Sequence, residues 1–100
     1  MTRPKILFSR RARADLLEIE AYISDRDGQQ RGELVIGRLR ETIRTLGYRP
    51  GIGSSRAYLD RESRAFPVGP WIVIYLPLPA LDGIRVRRVI DGRRDLKNIL

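Results

Sequence analysis

The sequence predicts an α+β fold: an antiparallel sheet, built from an N-terminal strand and a three-stranded meander, packed against an αα-hairpin, with a short C-terminal helical segment. Three observations predict it. Trp71-Ile-Val-Ile-Tyr-Leu76 is an unbroken apolar and aromatic run rich in β-branched residues. It is too short for a free-standing helix and suits a strand buried on both faces. Two stripes at helical spacing precede it, Ala12/Leu16/Ile19/Ile23 and Ile36/Leu39/Ile43/Leu46, each the apolar side of an amphipathic helix. The pairs Gly69-Pro70 and Asp82-Gly83 bracket the apolar run, as the turns of a meander would.

Taken in order, Lys5-Ile-Leu-Phe is a short strand and Ser9 is an N-cap candidate for the helix after it. The first stripe places that helix from about Arg10 to Ser24, and Ser24-Asp-Arg-Asp-Gly28 breaks it. The second stripe gives a helix from about Gln29 to Leu46, ended by Gly47 and then Pro50. Gly32 and Gly37 inside it each cost about 1 kcal/mol relative to alanine, compensated by close approach of the two helices or, at Gly32, by a loosened first turn. Residues 47–62 read as a loop anchored by Tyr58 and Leu59. In the meander, Gly69 meets the need of a type II′ turn, Pro67 assigns the Arg64–Val68 run to a sheet edge, and Pro77 and Pro79 end the central strand. Ile84–Asp91 is the last strand. Gly92–Leu100 reads as one or two helical turns, with Leu96 and Ile99 or Leu100 facing inward.

One hundred residues (1–100) suit a single domain with one modest core. There are 20 basic and 12 acidic residues, a formal net charge of +8, with arginine supplying 18 of the basic residues. Such a chain calls for an anionic partner, and guanidinium favours planar recognition of carboxylate or phosphate. Cysteine and histidine are absent, which excludes disulfides, thiolate chemistry, Cys/His zinc sites and histidine acid–base catalysis. No cofactor is called for. No apolar run is long enough to span a membrane, and Met1–Leu7 lacks an apolar signal core, so a cytoplasmic location is expected.

The last strand carries three arginines in four positions, Arg85, Arg87 and Arg88. On a two-residue period Ile84, Val86, Arg88 and Ile90 share the face toward the helices, and Arg85, Arg87, Val89 and Asp91 share the other. Either a bulge near Arg87-Arg88 turns Arg88 to the open face, or Arg88 stays inward and pairs with a carboxylate such as Asp15 or Asp95. Arg85 and Arg87 are expected on an exposed binding surface. Arg93 and Arg94 open the final helical segment, where cations oppose the helix dipole unless they meet an anion, so they join the candidate residues. Arg10, Arg11, Arg13, Arg38, Arg40 and Arg44 read as a solvated helix face, and Trp71 as core.

Three blocks meet in this order: Ser9-x-x-Ala12-x-x-Asp15-Leu16-x-x-Ile19-x-x-Tyr22-Ile23; Arg64-x-Phe66-Pro67-Val68-Gly69-x-Trp71-x-Val73-x-Tyr75; and Arg88-Val89-Ile90-Asp91-Gly92-Arg93-Arg94-Asp95-Leu96. Together they resemble the ParE/RelE superfamily of type II toxin–antitoxin toxins, the ParE branch most closely. The resemblance implies a compact α/β toxin held by a small acidic antitoxin whose C-terminal segment wraps it. The ParE branch is known for poisoning DNA gyrase; the RelE branch cleaves mRNA on the ribosome with strand cations and, typically, a C-terminal tyrosine. Arg64 and Arg88 stand where strand arginines of the RelE type would lie, but no tyrosine follows Tyr75. A nuclease would therefore have to work with Arg64, Arg88 and Tyr75. The binding reading uses Arg64, Arg85, Arg87, Arg88, Arg93 and Arg94 toward target or antitoxin. Tyr75, in an otherwise apolar strand, reads as a core residue with its hydroxyl at the rim.

Overall fold

The computed structural model describes residues 3–94. The expected C-terminal segment, with Asp95, Leu96, Ile99 and Leu100, lies outside them. The elements are β1 (Lys5–Phe8), α1 (Arg10–Asp27), α2 (Gln29–Tyr48), β2 (Arg64–Val68), β3 (Trp71–Leu78), a 3-10 turn (Pro79–Leu81) and β4 (Gly83–Asp91). Both apolar stripes are buried along their whole length and pack on one face of the sheet with Val73, Tyr75, Ile84, Val86 and Val89. Ile74 and Ile90 form a second cluster, covered by Tyr58 and Leu59 from the loop before β2. Among the described residues no helix is long and apolar enough to cross a membrane.

The helix ends follow backbone chemistry. Ser9 caps α1 by accepting the Ala12 N–H at 3.0 Å. The polar Ser24-Asp-Arg-Asp stretch stays helical through Asp27, because the break needs the positive φ of Gly28 (+97°), which any other residue would pay to adopt. The two glycines in α2 differ. A side chain at Gly32 would collide with Ser24 and approach the Glu20 carbonyl, so the helices cross closely there, whereas Gly37 faces open space.

The sheet order is β1-β4-β3-β2. β2, β3 and β4 form the expected antiparallel meander, but β1 joins β4 in parallel, which corrects the expectation of an all-antiparallel sheet. The reason is geometric. The helical hairpin returns the chain to its starting end, with Gly47 against Pro4 and Ile6, so β2 starts at the same end of the sheet as β1, on the opposite edge. A meander of three strands then leaves β4 running the same way as β1. Gly69, at φ +60°, and Pro70 make the β2–β3 turn. Pro77 does not end β3. Alternation turns its missing N–H toward β2, which stops at the Arg64–Tyr75 pair, so no ladder bond is lost.

Two substitutions separate the roles of glycine here. Gly37→Ala should stabilise the chain by about 0.5–1 kcal/mol, because it gains helix propensity without a clash. Gly83→Ala should destabilise it by about 1–3 kcal/mol or more, since the added carbon would run into the Lys5 carbonyl across the β1–β4 ladder. Urea denaturation followed by circular dichroism reads both; equal shifts of the same sign would contradict this packing.

Candidate functional site

The register of β4 slips by one residue against β3: Val86 stands opposite Tyr75, Arg88 opposite Ile74, and Arg87 is the extra residue. The simple alternation therefore fails beyond Val86. Val89 joins the helix-side core in place of Arg88, and Ile90 turns to the second cluster. The bulge is present, but it does not turn Arg88 to the open face: the guanidinium is buried and pairs with a carboxylate, as the second alternative had it. Its Nε and Nη2 donate to Asp15 Oδ2 and Oδ1 at 2.8 and 3.1 Å. Asp15 Oδ2 also accepts the Val89 N–H at 2.9 Å. The hydrogen bond that Arg88 donates to Asp15 raises the Arg88 pKa above its ordinary value against the opposing effect of burial. The pair thus joins the second turn of α1 to the bulge of β4.

Tyr75 is fully buried. Its hydroxyl donates to the Pro50 carbonyl at 2.7 Å and accepts the Gly53 N–H at 2.8 Å. Burial pushes the phenol pKa up, with the Gly53 bond and the nearby Arg64 opposing. Arg64 donates to the Gly53 carbonyl at 2.6 Å. Strand and loop are thereby locked together, and a Cβ at Gly53 would strike the Tyr75 ring. Arg64, Tyr75 and Arg88, the three residues a nuclease would require, are each engaged in internal bonds.

Of the other candidate residues, Arg85 is exposed. Arg87 is half-buried: it pairs with Asp60 at 2.6 Å and donates to Ser63 Oγ at 2.9 Å, tying the loop to the open face. These contacts hold the Asp60 carboxyl below its ordinary pKa, with Arg87 the largest cause. Arg93 and Arg94 are exposed. Arg93 forms a two-bond fork with Asp91 at 2.9 and 2.7 Å. That fork lowers the Asp91 pKa to about 2.

The hairpin arginines prove more organised than a solvated face. A cleft of about 240 Å³ opens between the α1–α2 junction and the β2–β3 turn, where Arg26, Arg31, Arg38 and Arg93 surround Tyr22 and Trp71. Arg26 stacks over the Tyr22 ring at 5.3 Å and pairs with Asp27. Arg31, Val35 and Arg38 lie one turn apart on the same flank of α2, a spacing that could have marked the cleft from sequence. Trp71 is half-buried and lines this cleft and its neighbour, which adds Asp15, Glu18 and Arg94. This surface can bind carboxylate or phosphate beside an apolar group. Among the described residues no cluster of side chains could hold a metal ion.

A family model described as the ParE toxin of type II toxin–antitoxin systems, parDE, matches residues 6–96. The chain belongs to the ParE toxin family. In three dimensions this ParE-family chain is similar to a solved chain titled as the chromosomal ParDE TA system from P. aeruginosa. The TM-score is 0.74 at 16% identity, over 89% of this chain and 96% of that one. At that identity the likeness shows the fold. No curated protein matches it by sequence. Asp15, Tyr75 and Arg88, which carried part of the ParE resemblance, are the residues that join helix, sheet and loop.

Asp15→Ala should cost about 3–5 kcal/mol, because it leaves the Arg88 charge and the Val89 N–H buried without this partner. A loss below about 1 kcal/mol on urea denaturation would contradict the buried pair. Asp91 offers a pH test. Its pKa is depressed in the folded chain, so the contribution of the Arg93 fork is complete above the ordinary carboxylate range and is lost as pH falls toward about 2. Carboxyl-carbon NMR should show Asp91 titrating there, and Arg93→Ala should return it toward the ordinary range. An unchanged midpoint in the variant would exclude the fork in solution.

Proposed function

We propose that this ParE-type toxin of a type II toxin–antitoxin system inhibits growth by binding and poisoning DNA gyrase, and that a cognate acidic antitoxin neutralises it by direct contact. The observation that carries this reading is the state of Tyr75. RNA cleavage without histidine needs another group to move protons, and the Tyr75 hydroxyl is buried with both its donor and its acceptor capacity in use. Arg64 and Arg88 are likewise turned to internal partners. The exposed residues are suited to association: Arg85, Arg93 and Arg94 and the arginines around Tyr22 and Trp71. We place the antitoxin across the helical hairpin and a sheet edge, where apolar side chains supply most of the affinity and arginines give steering and register. A permanent pair of this kind buries about 2,000 Å² or more. Both proteins act in the cytoplasm, where gyrase works.

Two assays on antitoxin-free protein test the reading: plasmid supercoiling by gyrase with a cleavage-complex readout, and mRNA integrity on translating ribosomes. Loss of supercoiling with intact mRNA is expected. Cut mRNA with unaffected gyrase would replace this reading with a ribosome-dependent endonuclease and require Tyr75 to leave its buried bonds.

A further inference from the structure

The four arginines of the cleft beside Trp71 fall into two kinds according to their internal partners. Arg26 pairs with Asp27 and lies over the Tyr22 ring at 5.3 Å, and Arg93 is forked to Asp91. Arg31 and Arg38 have neither an ion pair nor a side-chain hydrogen bond among the described residues. They lie two turns apart on α2, about 10 Å along its axis, a span that two flexible arginine side chains can close on one anion. Among the described residues the only carboxylate lining the cleft is Asp27, which Arg26 already matches. Two positive charges are thus left without an internal anion.

The rest of the cleft is apolar and aromatic. Ile23 and Leu39, both buried, give it an apolar floor, and Tyr22 and Trp71 line both this cleft and its neighbour. The wall at Trp71 is fixed, because the Pro70 carbonyl accepts the Gly92 N–H at 2.8 Å. A Cβ at Gly92 would crowd Ile72 and that carbonyl, so glycine lets the β2–β3 turn and the end of β4 approach. A matching ligand has a flat ring for the aromatic side chains and about two negative charges for Arg31 and Arg38. A carboxylate or an internal phosphodiester brings one charge. A phosphate monoester brings about −1.5 to −2, with three acceptor oxygens, and nucleic-acid bases stack on aromatic side chains whatever their identity.

We propose that this cleft binds a nucleoside monophosphate, free or as the phosphorylated end of a single strand. Its base lies against Trp71 and Tyr22, and its phosphate sits between Arg31 and Arg38. The space of about 240 Å³ stands at the small end of ligand clefts, which run from about 300 to 1,000 Å³, and suits one nucleotide unit. A peptide carboxylate in the same place would leave one of the two arginines unmatched. The inference goes beyond the gyrase and antitoxin reading above and does not rest on it.

Trp71 is the only tryptophan in the chain, so its fluorescence reports on this cleft alone. Adenosine and guanosine 5′-monophosphate, titrated into the full chain at constant ionic strength, should quench it saturably with a Kd at or below about 1 mM. Arg31→Ala combined with Arg38→Ala should weaken that binding at least about tenfold and leave the Tm in place, since both side chains are exposed. An unchanged Kd in this variant overturns the proposal. A 5′-phosphorylated oligonucleotide that binds more tightly than either nucleotide supports the site and assigns it to a strand end; equal or weaker binding supports it and assigns it to the free nucleotide. If inorganic phosphate displaces either nucleotide at equal concentration, the rings contribute nothing and the proposal fails. Saturable binding of an acidic Glu–Leu repeat peptide, with none of either nucleotide, would assign the cleft to a peptide partner and overturn it, as would no saturable change with any of these probes.

Discussion

The buried contact of Asp15 with Arg88 and the Val89 N–H is the constraint on which the rest of the molecule is arranged. A buried ion pair is weak as a net source of stability, because desolvation offsets most of the attraction. Its effect here is geometric. Asp15 lies in the second turn of α1, and its two carboxylate oxygens accept from both Arg88 and the Val89 N–H just after the β4 bulge. Ser9, six residues earlier, gives its N–H to Val86 and its hydroxyl to the Arg87 carbonyl while also capping α1. Side chains of a helix thereby continue the line of hydrogen bonds that β1 abandons at Phe8. With α1 held against β4, its apolar stripe can only face the sheet, and α2 follows through the close crossing at Gly32.

The bulge explains how a strand with three clustered arginines remains part of a core. Without the extra residue, alternation would send Arg88 under the helices and leave Val89 outside. The slip exchanges them: Val89 enters the core, Arg88 reaches Asp15, and Arg87 is directed to Asp60 and Ser63. Tyr75, opposite Val86 where the register changes, lies in the same helix-side core and holds the loop at Pro50 and Gly53. Family-like residues in this region thus hold the fold together, which is why resemblance in them is informative about architecture and less so about the target.

Much of this was legible in the sequence because it depends on local patterns. The two helical stripes, the Ser9 cap, the Gly69-Pro70 turn and the edge position of Pro67 follow from periodicity and backbone chemistry, and Tyr58 and Leu59 do anchor the loop. The direction of β1 was not legible, since it depends on where a hairpin returns the chain and not on any residue in β1. Pro77 misled because a proline ends a strand only when its missing N–H faces a neighbour, and the length of β2 decides that. The bulge was foreseeable as an option, but hydrophobic alternation alone could not choose it. The cleft around Tyr22 and Trp71 was missed because its arginines come from α1, α2 and the turn after β4, and Arg38 looks like a solvated position within its helix.

A sharp partition of positive charge then connects structure with action. Arg64, Arg87 and Arg88 are bonded internally, and each holds two parts of the fold together. Arg31, Arg38, Arg85 and Arg94 remain at the surface, and the clefts that three of them line also hold Tyr22 and Trp71. A surface of that composition gains its free energy from excluding water around aromatic and aliphatic groups while the guanidinium groups select for carboxylate or phosphate. The clefts flank the helical hairpin, so on the reading proposed above one acidic antitoxin chain engages more than one of them. A target reached through the same cations would then be excluded by occupancy alone.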